Sequence, residues 1–397
     1  MKLINKFFKP FVFISAASFV IGCNKELPVA EPIVTPAPTG STIVEALDDA
    51  NFSILKAAVN RAGAPLKTIL SDKNAVYTFF APTDAAFQAS GIPSVDVINM
   101  LRPGFLDTVL RYHLVGGQKL TTASIPTTFP NIQEPSMLVL AAPSASLPPG
   151  LRMPIFPSKR GNIVWANNIP VLQGDIEVAN GVIHKVAAIV APPQQFLWNK
   201  IDTAADLTYL RAAILRADSG ATATGSLQAA LLNPAASLTV FAPTNLAFQQ
   251  ILTGQITLAL MAQGMDQATA GATASFLAST PDVFSNPALF SALSAQTVKG
   301  IVVYHLLGQR AFLVNFPATP ANVPTLLNTA IAAHPGVTLQ ATFDGSGFSV
   351  TNATVKGVAN PSASNILVSP IPAPKGTSDQ HYINGVIHVI DQVLRPQ

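Results

Sequence analysis

Three short blocks of sequence occur twice in this chain, each time in the same order. They read Phe-Ala-Pro-Thr-Asp/Asn-x-Ala-Phe, Tyr-His-Leu and Asn-Gly-Val-Ile-His. The blocks occupy residues 80–87, 112–114 and 180–184, and again residues 241–248, 304–306 and 384–388. Self-similarity at this scale indicates that one folding unit is encoded more than once. We therefore predict two copies of one domain, residues 41–192 (the first repeat) and 193–397 (the second repeat).

The spacing between the blocks is wider in the second repeat, which predicts insertions there. The larger lies near residues 253–295 and is rich in Ala, Gly, Thr, Gln and Ser, and the other lies near residues 360–380 and is rich in Pro and Ser. Segments of this composition are typical of surface loops, and we expect loops or short added helices at both places.

The first block predicts a corner between a strand and a helix. Residues 78–80 have strand composition, and Pro82 ends the run. Thr83, and Thr244 in the second repeat, can cap the helix that follows because a threonine hydroxyl accepts from free N–H groups. Phe87 then lies one turn into the helix and can pack back on its entry.

The third block predicts a turn and a buried strand. Asn180-Gly181 is a strong turn signal, and residues 182–186 alternate as a strand with His184 on an apolar face. We expect His184 and His388 to be hydrogen-bonded core histidines, because no partners at metal-ligand spacing accompany them. Helical patterns come first in each repeat and strands dominate its end, which predicts an α+β fold with a sheet or sandwich capped by helices.

Composition excludes several classes of protein. Of the 397 residues, 49% are hydrophobic and 11% charged, so most of the chain should fold. No long basic run marks a nucleic-acid binder. No glycine-rich phosphate loop, Gly-x-Ser-x-Gly elbow or His-Glu-x-x-His motif occurs. We therefore predict no catalytic residues, no metal, no cofactor and no nucleic acid, and a protein that is not an enzyme.

The N-terminal segment predicts export and an anchor. Lys2, Lys6 and Lys9 precede an apolar stretch, residues 11–21, that suits a signal peptide spanning residues 1–22. Without these three lysines the formal charge of +3 falls to zero. The stretch ends in Val-Ile-Gly-Cys, and its Cys23 is the only cysteine.

Val-Ile-Gly-Cys resembles the lipobox of bacterial lipoproteins, which implies cleavage before Cys23 and attachment of lipid to its thiol. Asn24 is not the aspartate that resembles an inner-membrane retention signal, so we expect the outer membrane. Residues 23–40 are rich in proline and predict an extended, semi-rigid tether.

The repeated blocks together resemble the fasciclin family. The resemblance implies two fasciclin-like domains, each a wedge-shaped β-sandwich with packed helices, that act by adhesion or protein binding. Its Tyr-His region implies partner-binding roles for Tyr112, His113, Tyr304 and His305. The alternative for both histidines is packing and capping at the ends of helices.

The function predicted from these features is that of a membrane-anchored surface lipoprotein for cell adhesion or protein binding. The expected partners are an extracellular or surface protein or matrix, with glycan as a further option. The expected location is the outer membrane through the N-terminal lipid, at the cell surface, with the periplasmic face left open. The alternative is a glycan-binding accessory lipoprotein of a nutrient-uptake system, with Trp165 and Trp198 to stack on sugar.

Overall fold

A computed structural model describes residues 39–142, 150–371 and 375–397. In the first repeat the helices are α1 (Ile43–Ala46), α2 (Ser53–Ala62), α3 (Ala64–Ser71), α4 (Asp84–Ala89), α5 (Val95–Met100) and α6 (Pro103–Tyr112). Its strands are β1 (Tyr77–Pro82), β2 (Leu114–Gly116), β3 (Glu134–Ala141), β4 (Leu151–Ile155), β5 (Pro157–Arg160), β6 (Ile163–Ala166), β7 (Ile169–Val178) and β8 (Gly181–Val186).

The second repeat follows the same order of elements with added helix. Its helices are α7 (Leu197–Thr203), α8 (Thr208–Ala217), α9 (Leu227–Leu232), α10 (Asn245–Ala262), α11 (Gln267–Leu277) and α12 (Ala295–Tyr304). Its strands are β9 (Leu238–Pro243), β10 (Leu306–Leu307), β11 (Ala321–Val323), β12 (Val337–Phe343), β13 (Val350–Lys356), β14 (Ser364–Asn365), β15 (Gln380–Tyr382) and β16 (Gly385–Ile390). The predicted α+β class is confirmed.

The sheets of the two repeats share a central motif. In the first repeat β1 pairs with β8 in parallel and with β2 antiparallel, within a sheet of order β4-β3-β2-β1-β8-β7-β6-β5. In the second repeat β9 pairs with β16 in parallel and with β10 antiparallel. There the strands divide into two sheets, β10-β9-β16-β15 and β11-β12-β13-β14, joined by an isolated bridge between Ile366 and Ile390.

The central strands separate a helical layer from a layer of outer strands. On β1, Phe79 packs into the cluster formed with α2, α3 and α6, and its neighbour Phe80 packs into the cluster formed with β4 and β6. On β9, Val240 and Phe241 divide between two clusters in the same way. Successive side chains of a strand point to opposite faces, so both faces of the central motif are buried.

The strand-to-helix corner forms as predicted in both repeats. The hydroxyl of Thr83 accepts from the Ala86 N–H at 3.2 Å, and that of Thr244 accepts from the Ala247 N–H at 3.2 Å. The side chain of Phe87, which follows the first cap, is buried. Satisfying a free N–H at the start of a helix stabilises that end by about 1 kcal/mol.

The Asn-Gly block ties the helices to the central strands. The Asn180 side chain accepts from the Ile43 N–H at 2.8 Å and donates to the Leu70 carbonyl at 2.9 Å. Gly181 has a φ of +141°, and a Cβ built on it would lie 1.8 Å from the Tyr77 carbonyl oxygen. Asn384 repeats the arrangement in the second repeat. Asn180 and Gly181 therefore form a turn and also allow the backbones of β1 and β8 to approach closely.

Candidate functional site

The residues singled out by the sequence fall into three groups: the lipid-attachment residue, the Tyr-His pairs and the strand histidines. Cys23 lies outside the described residues, and its lipidation stays a prediction. Within the described ranges, no helix combines the length and apolar content needed to cross a bilayer.

His113 and His305 each follow the last residue of a helix and are buried. The Nδ1 of His113 lies 2.8 Å from the Val109 carbonyl oxygen, and its Nε2 accepts from the Val190 N–H at 2.9 Å. His305 makes the equivalent contacts with Ile301 and Leu394. A ring nitrogen that accepts from a backbone N–H carries no proton, so both rings are neutral.

Burial determines the titration of these two rings. It lowers the pKa of His113 and that of His305 to about 4, although each ring donates a compensating hydrogen bond to a helix carbonyl. Each imidazole therefore links the end of a helix to the segment that follows the last strand of its repeat.

Tyr112 and Tyr304 are also fully buried. The Tyr112 hydroxyl donates to the Pro154 carbonyl and accepts from the Asn167 side chain, both at 3.0 Å. The Tyr304 hydroxyl donates to the Gly336 carbonyl at 2.7 Å and accepts from the Val358 N–H at 3.0 Å. Desolvation raises the pKa of both hydroxyls. The partner-binding role of the Tyr-His pairs stays a prediction, and their polar atoms are occupied within the fold.

The strand histidines form a second matched pair. The Nε2 of His184 lies 2.7 Å from the Leu120 carbonyl oxygen, and its Nδ1 accepts from the Asp175 N–H at 3.2 Å. His388 contacts Ala311 and Asp379 in the same way. Burial lowers the pKa of His184, and it lowers that of His388 to about 4. Both are hydrogen-bonded core histidines.

The aspartates that contact these histidines differ in their surroundings. Asp175 and Asp379 both have positive φ, 59° and 50°. Burial raises the pKa of Asp379 to about 7, against hydrogen bonds from the Leu313 N–H and the side chain of Asn168. Asp175 is less buried, and although desolvation acts to raise its pKa, hydrogen bonds from Thr122 outweigh that effect and lower it.

Asn168 belongs to the first repeat, so Asp379 lies where the two repeats meet. An aromatic and aliphatic cluster lies in the same contact, made by Phe156, Trp165, Phe312, Val314 and Val386. Arg160 of the first repeat donates to the carbonyls of Val314 and Phe316 in the second. The two repeats thus share a buried core.

A buried cation lies beside this cluster. Arg310 is almost fully buried, and its Nη1 lies 2.7 Å from Nε2 of His381. Its Nη2 donates to the Ile383 carbonyl at 3.1 Å, and its guanidinium lies 4.7 Å from the centre of the Phe156 ring. Burial lowers the pKa of Arg310 to about 10 and, together with the positive charge of Arg310, lowers that of His381 well below its usual range.

Sequence reasoning missed this contact, although a signal was present. Aligning the two repeats on their shared hydrogen bonds places Lys119 opposite Arg310 and Glu177 opposite His381. Lys119 and Glu177 form an exposed ion pair in the first repeat. Loss of the acidic member of that pair in the second repeat indicates a changed environment.

The remaining chemistry of the described residues is sparse. No group of three His, Cys, Asp or Glu side chains within them is placed to hold a metal ion. A shallow groove of about 550 Å³ between α8 and residues 281–290 contains Arg211, paired with Asp202 at 2.6 Å, and Arg216, stacked 3.7 Å over Phe290. These cations are engaged in contacts of the fold.

A sequence model of the fasciclin domain matches residues 50–192. Transforming growth factor-beta-induced protein ig-h3 of Sus scrofa is 29% identical over 177 residues, which cover 44% of this chain and 22% of the relative. The chain thus spans about a fifth of that relative's length. Immunogenic protein MPB70 of Mycobacterium bovis is 25% identical over 151 residues, 38% of this chain and 68% of the relative.

A solved FAS1 domain pair from the insect cell adhesion molecule Fasciclin I aligns with 86% of this chain and 95% of its own, with a TM-score of 0.33 and 15% identity. Protein sll1483 of Synechocystis sp. is 34% identical over 167 residues, which cover 41% of this chain and 80% of the relative. With that coverage and the matching domain in its first repeat, the chain belongs to the fasciclin family.

Proposed function

We propose that this protein is a lipid-anchored surface protein that binds a protein or matrix partner and acts in adhesion. Membership of the fasciclin family supports adhesive binding. The position of the only cysteine supports the anchor: Cys23 follows an apolar stretch and precedes a proline-rich segment. Several acyl chains on one residue anchor a protein stably.

The buried contact between the repeats bears on how a partner would be bound. Phe156 and Trp165 of the first repeat pack in one buried cluster with Phe312, Val314 and Val386 of the second, so removing either repeat would break this cluster. A partner therefore meets the two repeats as one surface, and single repeats are unsuitable probes of binding. The glycan-binding alternative receives no support from the tryptophans, since Trp165 is fully buried and Trp198 is 6% exposed.

The anchor is tested by replacing the cysteine in a bacterial host. Wild-type protein should take up an alkyne fatty-acid label, fractionate with the outer membrane and begin at residue 23 by mass spectrometry. Cys23→Ser should lose label and membrane association, while the matched control Ser18→Ala keeps both. Protease added to intact cells distinguishes the outer face from the periplasmic face. Wild-type protein that retains residues 1–22 would contradict the anchor.

Adhesion is tested separately with the chain from residue 24 onward. Beads coated with this chain should attach to cells or to immobilised extracellular proteins more than beads coated with serum albumin. Free chain in solution should compete for the attachment. Beads that attach to no surface above the albumin level would contradict adhesive binding, whatever the result for the anchor.

A further inference from the structure

The helical hairpin of α10 and α11 carries almost no charge. Among residues 245–281 the only Asp, Glu, Lys or Arg is Asp266, at the turn between the helices. The corresponding helix of the first repeat, α4, has six residues, whereas α10 has 18. The hairpin is therefore an addition to the second repeat whose surface needs an explanation of its own.

Each helix of the hairpin buries one stripe and exposes the opposite one. Phe248, Leu252 and Ile256 of α10 and Ala274 of α11 pack into one core cluster. Because residues three and four apart share a helix face, the stripes opposite them point away from that cluster. The exposed positions of the two helices are Leu246, Gln250, Gly254, Gln255, Leu258, Met261 and Ala262 on α10, and Gln267, Ala268, Thr269, Ala272, Ser275 and Phe276 on α11.

These exposed positions carry no charge and include four large apolar side chains, Leu246, Leu258, Met261 and Phe276. Phe276 is 79% exposed, Leu258 68% and Leu246 61%. The solvated helices of the first repeat, by contrast, present Lys56, Arg61 and similar charges to water. Helices that are apolar on the outer face as well as the inner one are normally covered on both.

We propose that the exposed face of the α10–α11 hairpin is a homodimer interface, covered by the same face of a second copy of this chain. A face without charge offers nothing to complement a charged partner, whereas it matches itself across a two-fold axis. Two antiparallel helix pairs that meet in this way form a four-helix bundle, a stable packing of such hairpins.

The available area agrees with a reversible dimer. At 1.5 Å per residue α10, with 18 residues, is about 27 Å long and α11, with 11 residues, about 16 Å, and each helix presents a face about 10 Å wide. Two such faces bury about 900 Å² in total, which is in the range of small interfaces that form weak, reversible complexes. Met261 and Phe276 belong to the residue types that are enriched at the centres of interfaces. Leu258 fits the apolar character of such centres. This proposal is independent of the lipid anchor.

Sedimentation equilibrium of the chain from residue 24 onward, which keeps the compact unit Pro38–Gln397, tests the proposal. The wild type should dimerise with a micromolar dissociation constant. The double variant Leu258→Lys, Phe276→Lys should weaken dimerisation at least 100-fold, because like charges would then meet across the two-fold axis. Met100→Lys, at a side chain 75% exposed in the first repeat, should dimerise as the wild type does.

Three results would overturn the proposal. The first is a wild type that stays monomeric at about 100 μM, and the second is a Met100→Lys variant that dissociates as readily as the double variant. The third is binding of monomeric wild type to neutral phosphatidylcholine vesicles in a flotation assay, lost in the double variant, which would identify a bilayer as the occupant. Far-ultraviolet circular dichroism verifies that each variant is folded, as expected for substitutions at exposed positions.

Discussion

The guanidinium of Arg310 lies 2.7 Å from the imidazole of His381, with no carboxylate among its hydrogen-bond partners in the described residues. At the equivalent positions the first repeat has Lys119 and Glu177 as an exposed ion pair. Equivalent positions are thus exposed to solvent in the first repeat and buried in the second. The first repeat covers Arg310, and its Phe156 ring lies against the guanidinium.

Replacing Arg310 should destabilise the protein much more than replacing its counterpart. Arg310→Ala leaves the carbonyls of Tyr382 and Ile383 without a donor in a buried contact, and should cost about 2–4 kcal/mol in the free energy of unfolding. Lys119→Ala removes an exposed pair and should cost less than about 1 kcal/mol. Urea denaturation compares the two, and equal losses would show that the buried contact contributes no more than the exposed one.

Acid should destabilise the fold through its buried histidines. His113, His305 and His388 have a folded pKa of about 4, below the ordinary value of 6.5. The unfolded chain therefore binds more protons between these values, so stability is complete above pH 6.5 and is lost as pH falls toward 4. The loss by pH 4 is on the order of 3 kcal/mol for each histidine.

Asp379 opposes that trend. Its folded pKa of about 7 lies above the ordinary value, so its contribution is present at low pH and is lost as pH rises from 4 to 7. Because three histidines act against one carboxyl, urea denaturation should give a lower free energy of unfolding at pH 4.5 than at pH 7.5. A free energy that does not change between these two pH values would contradict neutral buried rings.

Removal of the helix caps should have a moderate and equal effect in the two repeats. Thr83→Ala and Thr244→Ala each leave an N–H at the start of a helix without its acceptor, at a cost of about 1 kcal/mol. Thr83→Ser and Thr244→Ser keep the hydroxyl and serve as controls. Thermal denaturation measures the difference, and serine variants as unstable as the alanine variants would assign the effect to the methyl group.

Gly181→Ala should be among the most damaging single substitutions. The added Cβ would collide with the backbone of Tyr77, and the parallel pairing of β1 with β8 leaves no room to move. We expect a loss above about 3 kcal/mol or failure to fold. Gly91→Ala is the matched control, since Gly91 also has positive φ, +84°, but nothing within 4 Å of its added Cβ.

The loss of unfolding free energy in Gly91→Ala should stay near the cost of backbone strain, about 1 kcal/mol. Guanidinium denaturation of the two purified variants separates collision from strain. Similar losses in both would show that the conformation of Gly181, rather than its close approach to Tyr77, sets the requirement for glycine.

Much of each repeat is readable from the sequence because its signals are local. The cap at Thr83, the turn at Asn180-Gly181 and the apolar strand around His184 depend on residues a few positions apart. The helices and strands confirm the expected corner and the expected order of elements.

The contact between the repeats is not readable in this way. Arg310 in place of Lys119 looks conservative as a substitution, and its burial depends on Phe156, far away in the chain. The Tyr-His pairs show the opposite difficulty: a resemblance identifies Tyr112 and His113, but only the fold reveals that their polar atoms are engaged internally. Cys23 and the proposed domain boundaries stay predictions.

The parallel pairing at the heart of each repeat has a consequence for how the chain acquires its structure. Thr78 pairs with Val182 and Thr239 with Val386, so each central sheet joins an early strand to a late one. Such non-local pairing slows folding, because a long loop must close before the contact forms. Each central sheet can therefore be completed only after its late strand has been synthesised.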